Sequence, residues 1–399
     1  MDEEHEENQR PLGCFAFLRR LLRLFKKKKS KKTKDKNHDK ENMKVKSREE
    51  EEEGEKKNDE QENEGGVRTE DVEDDGQFLR RHVAFLTREQ LHSLGDGRPL
   101  GEGAYGSVKQ LTYHGTEAVV KELLDDSEPE QLLKEARVLA ELDGAGGVPR
   151  LLAVCQTPPA LVQEFLGQTY NKYLVKCSVR LFLRSLGGIC HQLRQVHAKG
   201  FVHNDLKMNN ITFTGAVGNP EFHIIDFGVA CRVGEALVEE PLDLTERKAK
   251  EAKKKAKQAI RGDTIEDFLA SLGKGQQDKK GEDTKPCAED SEDEAAWMAP
   301  EVLAGEQVLP SGDVYSFGYL LECLTEDCRQ NSQENNCLVE EPQSTFLGAP
   351  LMRLSHLCTQ WDPRRRPSLA QVSQAVEALA EHLSARQLAA RLHFQDDDE

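Results

Sequence analysis

The sequence predicts an α+β protein of two lobes, a small β-rich one followed by a larger α-helical one. Three observations carry that prediction. Apolar runs of strand length, separated by glycines, cluster between residues 98 and 166. From residue 178 onward, longer segments with helical spacing dominate. Blocks of charge with almost nothing apolar flank or interrupt this pattern, and such blocks cannot offset the entropy of ordering. Composition agrees: 32% of the chain is charged, 37% hydrophobic and 6% aromatic.

In chain order, residues 1–78 read as a disordered charged tail holding one basic amphipathic patch at 12–32. The folded domain is expected over 79–391. Strands are predicted near 98–123, then an amphipathic helix near 129–142, then short strands at 148–155 and 160–166. Residues 178–199 have helical periodicity, and strands at 211–214 and 222–226 flank the turn-rich GAVGNP. Residues 312–325 and 368–391 are predicted helical, and 392–399 form an acidic tail. A charged insertion at about 235–294 breaks this order. Its LTERKAKEAKKKAKQAI (244–260) can form a solvated helix, whereas GEDTKPCAEDSEDE (281–294) reads as disordered.

A net charge of −17 argues against nucleic acid as a partner. The ten cysteines show neither zinc-ligand spacing nor a disulfide framework. Cys155, Cys190 and Cys323 lie in apolar runs and are expected to be small core residues. The first ten residues are acidic and polar, and no apolar stretch is long enough to span a bilayer, so a cytoplasmic location is expected. In CFAFLRRLLRLFKKKKSKK (14–32), Phe15, Leu18, Leu21, Leu22 and Phe25 share one helical face beside a basic one. That pattern suits peripheral binding to an anionic membrane surface, with Cys14 able to carry an acyl chain. A partner-binding helix or a nuclear-import cluster has the same composition.

The chemistry is carried by short motifs. LGEGAYGSV spaces Gly101, Gly103 and Gly106 as a loop whose backbone can approach phosphate oxygens, although a glycine-bearing hairpin alone has this pattern. Lys121 ends the apolar strand AVVKE. It needs a carboxylate to hold it, and Glu135 in the following helix is placed for that, with Glu130 and Glu141 as competitors. VHNDLKMNN (202–210) and HIIDFGVA (223–230) follow in order. They carry the acidic, basic and amide side chains of Asp205, Lys207, Asn210 and Asp226 at fixed spacing. WMAPE (297–301), VYSFG (314–318) after Asp313, and DPRRRPS (362–368) complete the series.

In this order the motifs resemble those of the eukaryotic protein kinase superfamily, serine/threonine type, over about residues 95–385. Lys207, WMAPE and the context of DPRRRPS resemble its tyrosine-kinase-like branch. The resemblance implies a bilobal kinase fold with ATP and Mg²⁺ as cofactors and a protein substrate. It implies ATP contacts from Gly101, Glu102, Gly103, Gly106, Val108, Lys121 and Glu135, and from Glu164 and Leu166 in the hinge 163–166, with Gln163 as gatekeeper. Asp205 and Lys207 take the catalytic roles, and Asn210 and Asp226 the metal. A structural ion pair between Glu301 and Arg366 is implied as well.

Three departures bear on activity. Asn204 replaces the arginine of H-R-D, which argues against activation by loop phosphorylation. Glu294 stands where serine/threonine kinases carry a hydroxyl that bridges the equivalents of Asp205 and Lys207. The segment between Asp226 and Glu301 is far longer than the family's, and Ser291 within it resembles a site for an acidophilic kinase. Two other readings therefore stay open. One is a pseudokinase scaffold that binds protein partners, and the other is a choline-like small-molecule kinase, which H-N-D-L also resembles.

Overall fold

The computed structural model describes residues 74–103, 106–123, 129–237, 242, 244, 245, 247–249, 264–272, 295–334 and 344–395. The patch at 12–32, most of 244–260, all of 281–294 including Ser291 and Glu294, and the side chain of Glu102 lie outside the described residues.

Six strands build the small lobe: β1 (Ala84–Leu86), β2 (Arg98–Gly103), β3 (Gly106–Tyr113), β4 (Thr116–Leu123), β5 (Leu151–Gln156) and β6 (Pro159–Glu164). They lie in the order β1-β5-β6-β4-β3-β2, antiparallel except for the parallel pair β1–β5. Period-two alternation sorts their side chains. Val154 and Leu161 face the main core, while Ala153, Cys155, Ala160 and Val162 face an outer cluster closed by Leu91 of α2 (Arg88–Ser93). Helix α3 (Pro129–Leu142) lays Leu132, Ala136, Leu139 and Leu142 into the main core at helical spacing. The helix α1 (Asp75–His82) packs on α3 with Leu79 fully buried, so residues 75–78, inside the segment expected to be disordered, are helical.

The large lobe opens on the short α4 (Tyr170–Leu174) and is built on α5 (Val179–Ala198), whose apolar face meets α10 (Leu369–His382), while α7 (Pro300–Leu303) is a single turn. Helix α8 (Ser311–Glu334) packs on α9 (Ala349–Cys358), an element with no counterpart in the sequence expectations. They approach closely at Gly318, where a Cβ would stand 2.5 Å from Cys358 Cβ. The hairpin of β9 (Ile211–Ala216) and β10 (Asn219–Ile224) joins β7 (Gln168–Thr169) under the small lobe, and β8 (Phe201–Val202) pairs with β11 (Cys231–Arg232).

Four expectations are corrected. The helical stretch 368–391 breaks at Leu383, and a new capping box at Ser384 starts α11 (Ala385–Ala389). Beyond it Leu392 and Phe394 are buried, with the Phe394 ring 5.7 Å from that of Phe182, so the acidic tail begins only after them. Within the insertion, α6 (Ile265–Leu272) docks on α9 and α10 through Ile265 and Phe268, burial that contributes roughly 1.5–3 kcal/mol for the phenylalanine alone. Cys323 is exposed, whereas Cys155 and Cys190 are buried as expected. Among the described residues no helix is long and apolar enough to cross a membrane.

Candidate active site

Strand register places Lys121 and the glycine-bearing hairpin above it. Lys121 lies opposite Val108 on β3 and Leu161 on β6, near the end of β4. The hairpin β2–β3 closes with Gly103 opposite Gly106. Gly106 has φ +154, and a Cβ there would lie 1.6 Å from the Glu122 carbonyl oxygen, so no other residue fits. Gly101 has open space around its Cα, and residues 104 and 105 lie outside the described ones. After β6 the hinge is pinned by the backbone: Phe165 N donates to Glu117 O at 3.0 Å, and Glu164 N to Arg150 O at 3.0 Å. The Glu164 carboxylate turns toward Arg150, accepting from its backbone N at 3.2 Å, so only the backbone of Glu164 is placed for a ligand. Leu166 follows, half-buried.

Helix α3 decides which glutamate holds Lys121. Lys121 Nζ donates to both carboxylate oxygens of Glu135 at 3.0 Å and to Asp226 Oδ1 at 2.9 Å. Glu130 is exposed, and Glu141 is engaged instead by Arg137 at 3.0 Å and by Arg232. Burial opposes the charge on Lys121, but the carboxylates of Asp226 and Glu135 outweigh it and raise its pKa. Burial likewise works against the Asp226 carboxylate, and the Lys121 ammonium overcomes it, holding the pKa at about 2. Glu135 is pushed up by burial and by its neighbour Asp226. Gln131, one turn earlier, donates to the Gly228 carbonyl and ties α3 to the segment carrying Asp226.

The loop 202–210 hangs from one buried carboxylate. Asp313, fully buried near the start of α8, accepts from His203 N at 2.9 Å and Asn204 N at 2.8 Å, and meets His197 Nε2 at 2.7 Å. Asp205 N donates to His203 Nδ1 at 3.2 Å, so His203 must carry its proton on Nε2, which faces the Ile225 carbonyl at 3.0 Å. The His203 ring meets the buried Phe227 ring edge-on at 4.7 Å. Asn204 takes φ +63, a left-handed conformation that asparagine tolerates better than arginine does. Its amide donates to the carbonyls of Val202 and Val229 and to Cys231 Sγ.

Asp205 itself is 3% exposed. Its Oδ2 accepts from Lys207 Nζ at 2.9 Å and from Asn210 Nδ2 at 2.8 Å. Its Oδ1 accepts from Trp297 Nε1 at 2.8 Å. Asn210 uses its amide nitrogen on Asp205, which leaves its carbonyl oxygen to face a cation. Asp226, at φ +65, offers a second carboxylate oxygen beyond the one Lys121 holds. Ile225 N donates to Asn210 O at 2.9 Å, making the two oxygen donors neighbours. Among the described residues no group of three or more His, Cys, Asp and Glu side chains could hold a metal alone. One carboxylate plus one amide oxygen fits Mg²⁺, which usually completes its shell with phosphate and water.

The structure thus brings Lys121, Glu135, Asp205, Lys207, Asn210 and Asp226 together, with Gly106 and Val108 on the strand above. Two participants went unread in the sequence. Trp297 stood inside a recognised motif, but nothing local links it to Asp205. His197 ends α5 and has no signal beyond helical spacing. The implied pair Glu301–Arg366 is present and bidentate, at 2.5 and 2.8 Å.

Residues 94–245 match the family model for the protein kinase domain. A probable serine/threonine-protein kinase of Dictyostelium discoideum is 24% identical over 294 residues, 68% of this chain and 26% of that protein. The tyrosine-protein kinase transforming protein Abl of Abelson murine leukemia virus is 27% identical, over 71% of this chain and 34% of its own length. Mitogen-activated protein kinase kinase kinase 7 of Homo sapiens is 22% identical, over 68% of this chain and 39% of its own. The chain therefore spans well under half of the length of these relatives. In motif order, two-lobed fold and these matches the chain is similar to the eukaryotic protein kinase superfamily, with a resemblance to the tyrosine-kinase-like branch.

Proposed function

We propose that this chain is an ATP-dependent protein kinase that passes the γ-phosphate to serine or threonine hydroxyls of protein substrates in intracellular signalling. The observation that carries the reading is the pair of adjoining hydrogen-bonded groups, Lys121–Glu135–Asp226 and Asp205–Lys207–Asn210. Lys121, fixed by Glu135, is a rigid cation for phosphate oxygens. Asp205 orients the acceptor hydroxyl and takes its proton, while Lys207 offsets the charge on the phosphoryl group in flight. Asp226 and Asn210 would hold Mg²⁺, which when bound neutralises phosphate charge. The lysine at 207 supports serine/threonine over tyrosine acceptors. We place the protein in the cytoplasm, peripheral at an anionic membrane through residues 12–32.

One observation favours a second reading, a scaffold that transfers nothing: Asp205 is almost fully buried, and donors occupy both of its oxygens. Phosphate incorporation from labelled ATP into a generic acceptor protein separates the two. The wild-type chain should be active, and Asp205→Ala should lose roughly 10²–10⁴-fold in rate. Equal incorporation by both proteins would refute the mechanism, and none by either would favour the scaffold.

A further inference from the structure

A general base works only if its carboxylate points in one direction. Asp205 is anchored at Oδ2 by Lys207 and Asn210, and those two bonds leave Oδ1 free to swing about the side-chain torsion. The group that stops this is Trp297, whose indole N–H reaches Oδ1 at 2.8 Å. The same indole presents its ring to Lys207, with Nζ 5.3 Å from the ring centroid. One side chain therefore touches both the carboxylate and the lysine beside it. The hydroxyl that bridges these two groups in serine/threonine kinases is missing from the sequence, where Glu294 stands in its place.

Trp297 is itself held. It is buried with Val202, Met298, Val302, Leu303, Val308 and Tyr315. Its carbonyl accepts from Ser316 Oγ at 2.8 Å. The peptide carbonyls around it converge on Arg247, which lies in the insertion. Arg247 donates to Ala296 O and Met298 O, each at 2.9 Å, to Ala295 O at 3.4 Å, and to Tyr315 Oη at 2.9 Å. An arginine fork filled by backbone carbonyls of one short loop fixes the path of that loop. Nearby, Leu242 N donates to Leu303 O at 3.0 Å, and Leu237, Leu242 and Leu244 pack on the same cluster. The root of the insertion is thus built into the wall behind the catalytic carboxylate.

We propose that Trp297 is the positioning residue for Asp205, and that Arg247 sets the loop that delivers it. The proposal rests on the kinase reading above and assigns a structural duty to an insertion that its composition marks as solvated. The effect belongs to the chemical step, because the groups Trp297 meets are Asp205 and Lys207.

Steady-state transfer from Mg·ATP to a generic acceptor protein tests it, using the full chain. Trp297→Phe keeps an aromatic ring and removes the N–H donor. It should lower kcat about 10–100-fold while KM for ATP stays within about twofold of wild type. Arg247→Ala should move kcat in the same direction by a smaller factor, with Arg247→Lys recovering part of it. Should Trp297→Phe fold poorly, β-(3-benzothienyl)alanine at position 297 preserves the indole shape without the N–H and should show the same loss. Wild-type kcat in either position-297 variant would overturn the proposal. So would a raised kcat, which would mean that the indole blocks the acceptor site. A wild-type chain as inactive as Asp205→Ala would bring down the kinase reading, and this proposal with it. An active wild type with an unaffected Trp297→Phe would bring down this proposal alone.

Discussion

At the scale of single residues, the buried pair Glu301–Arg366 shows why a short motif can be read across a long separation. The Arg366 guanidinium is wholly buried and the Glu301 carboxylate nearly so. Arg366 also donates to the carbonyls of Gln360, Ser311 and Trp361, so every arm of the fork is used. Burying two charges is costly, and the pair recovers that cost only while both partners stay. Removing one leaves an uncompensated charge in a dry site. Glu301→Ala should therefore destabilise the domain by roughly 3–5 kcal/mol, read as a shift of the urea midpoint. A loss below about 1 kcal/mol would mean that water reaches Arg366 in the variant and that the motif is not an anchor. Trp297–Asp205 is the opposite case. It joins positions as far apart in the chain, yet neither partner constrains the other's neighbours, so no local pattern announces it.

At the scale of elements, α1 is the part of the small lobe that the sequence concealed. It carries Phe78 and Leu79 as its apolar residues and follows a long acidic run, too little periodicity to stand out. Its contacts are nonetheless specific. Leu79 enters the core beside Leu139 and Leu142, and Asp75 meets Arg137 of α3 at 2.7 Å. The Arg137 guanidinium also lies 4.7 Å from the Phe78 ring centroid. On α3, Arg137 holds Glu141, and Glu141 holds Arg232 of β11. The helix that presents Glu135 is thus braced from outside by α1 and tied to the segment after Asp226. Leu79→Ala should cost about 2–5 kcal/mol and should speed amide exchange in α3 before that in α10. Uniform acceleration in both helices would show that α1 braces the whole fold and not α3 in particular. The strands and helices read correctly are those with strong period-two or helical spacing, such as β4, α3 and α5. Those missed had their pattern diluted: α6 is a short apolar stretch inside a charged insertion, and Leu392 and Phe394 sit next to the acidic end. Cys323 misled in the other direction. It lies in an apolar run, but Leu320, Leu321 and Leu324 take the buried face of α8 and leave it outside.

At the scale of the whole molecule, the elements of the large lobe meet at Asp313. This carboxylate joins α8 to α5 through His197 and to the loop 202–210 through the N–H groups of His203 and Asn204. Burial disfavours its charge, but the His197 hydrogen bond, the nearby histidines and the loop N–H donors prevail, and its pKa falls below the ordinary value of 3.8. A carboxyl with a lowered folded-state pKa stabilises the fold fully above its unfolded-state value. The contribution is lost as pH falls through the folded-state value, because the unfolded chain takes up the proton first. Asp313 therefore supports the fold at neutral pH and should cease to do so progressively below about pH 4. Asp226, held at about 2 by Lys121, acts in the same direction. The two can be separated, because Asp313→Asn keeps the shape and one acceptor but cannot titrate. At pH 7 the substitution should cost about 2–3 kcal/mol, the loss of charge-assisted bonds to buried donors. Between pH 4 and pH 3 the gap between variant and wild type in urea titrations should narrow, since wild type loses what the variant already lacks. A gap as wide at pH 3 as at pH 7 would show that Asp313 takes up its proton over the same pH range in the folded and the unfolded chain, and that acid sensitivity of the fold originates elsewhere.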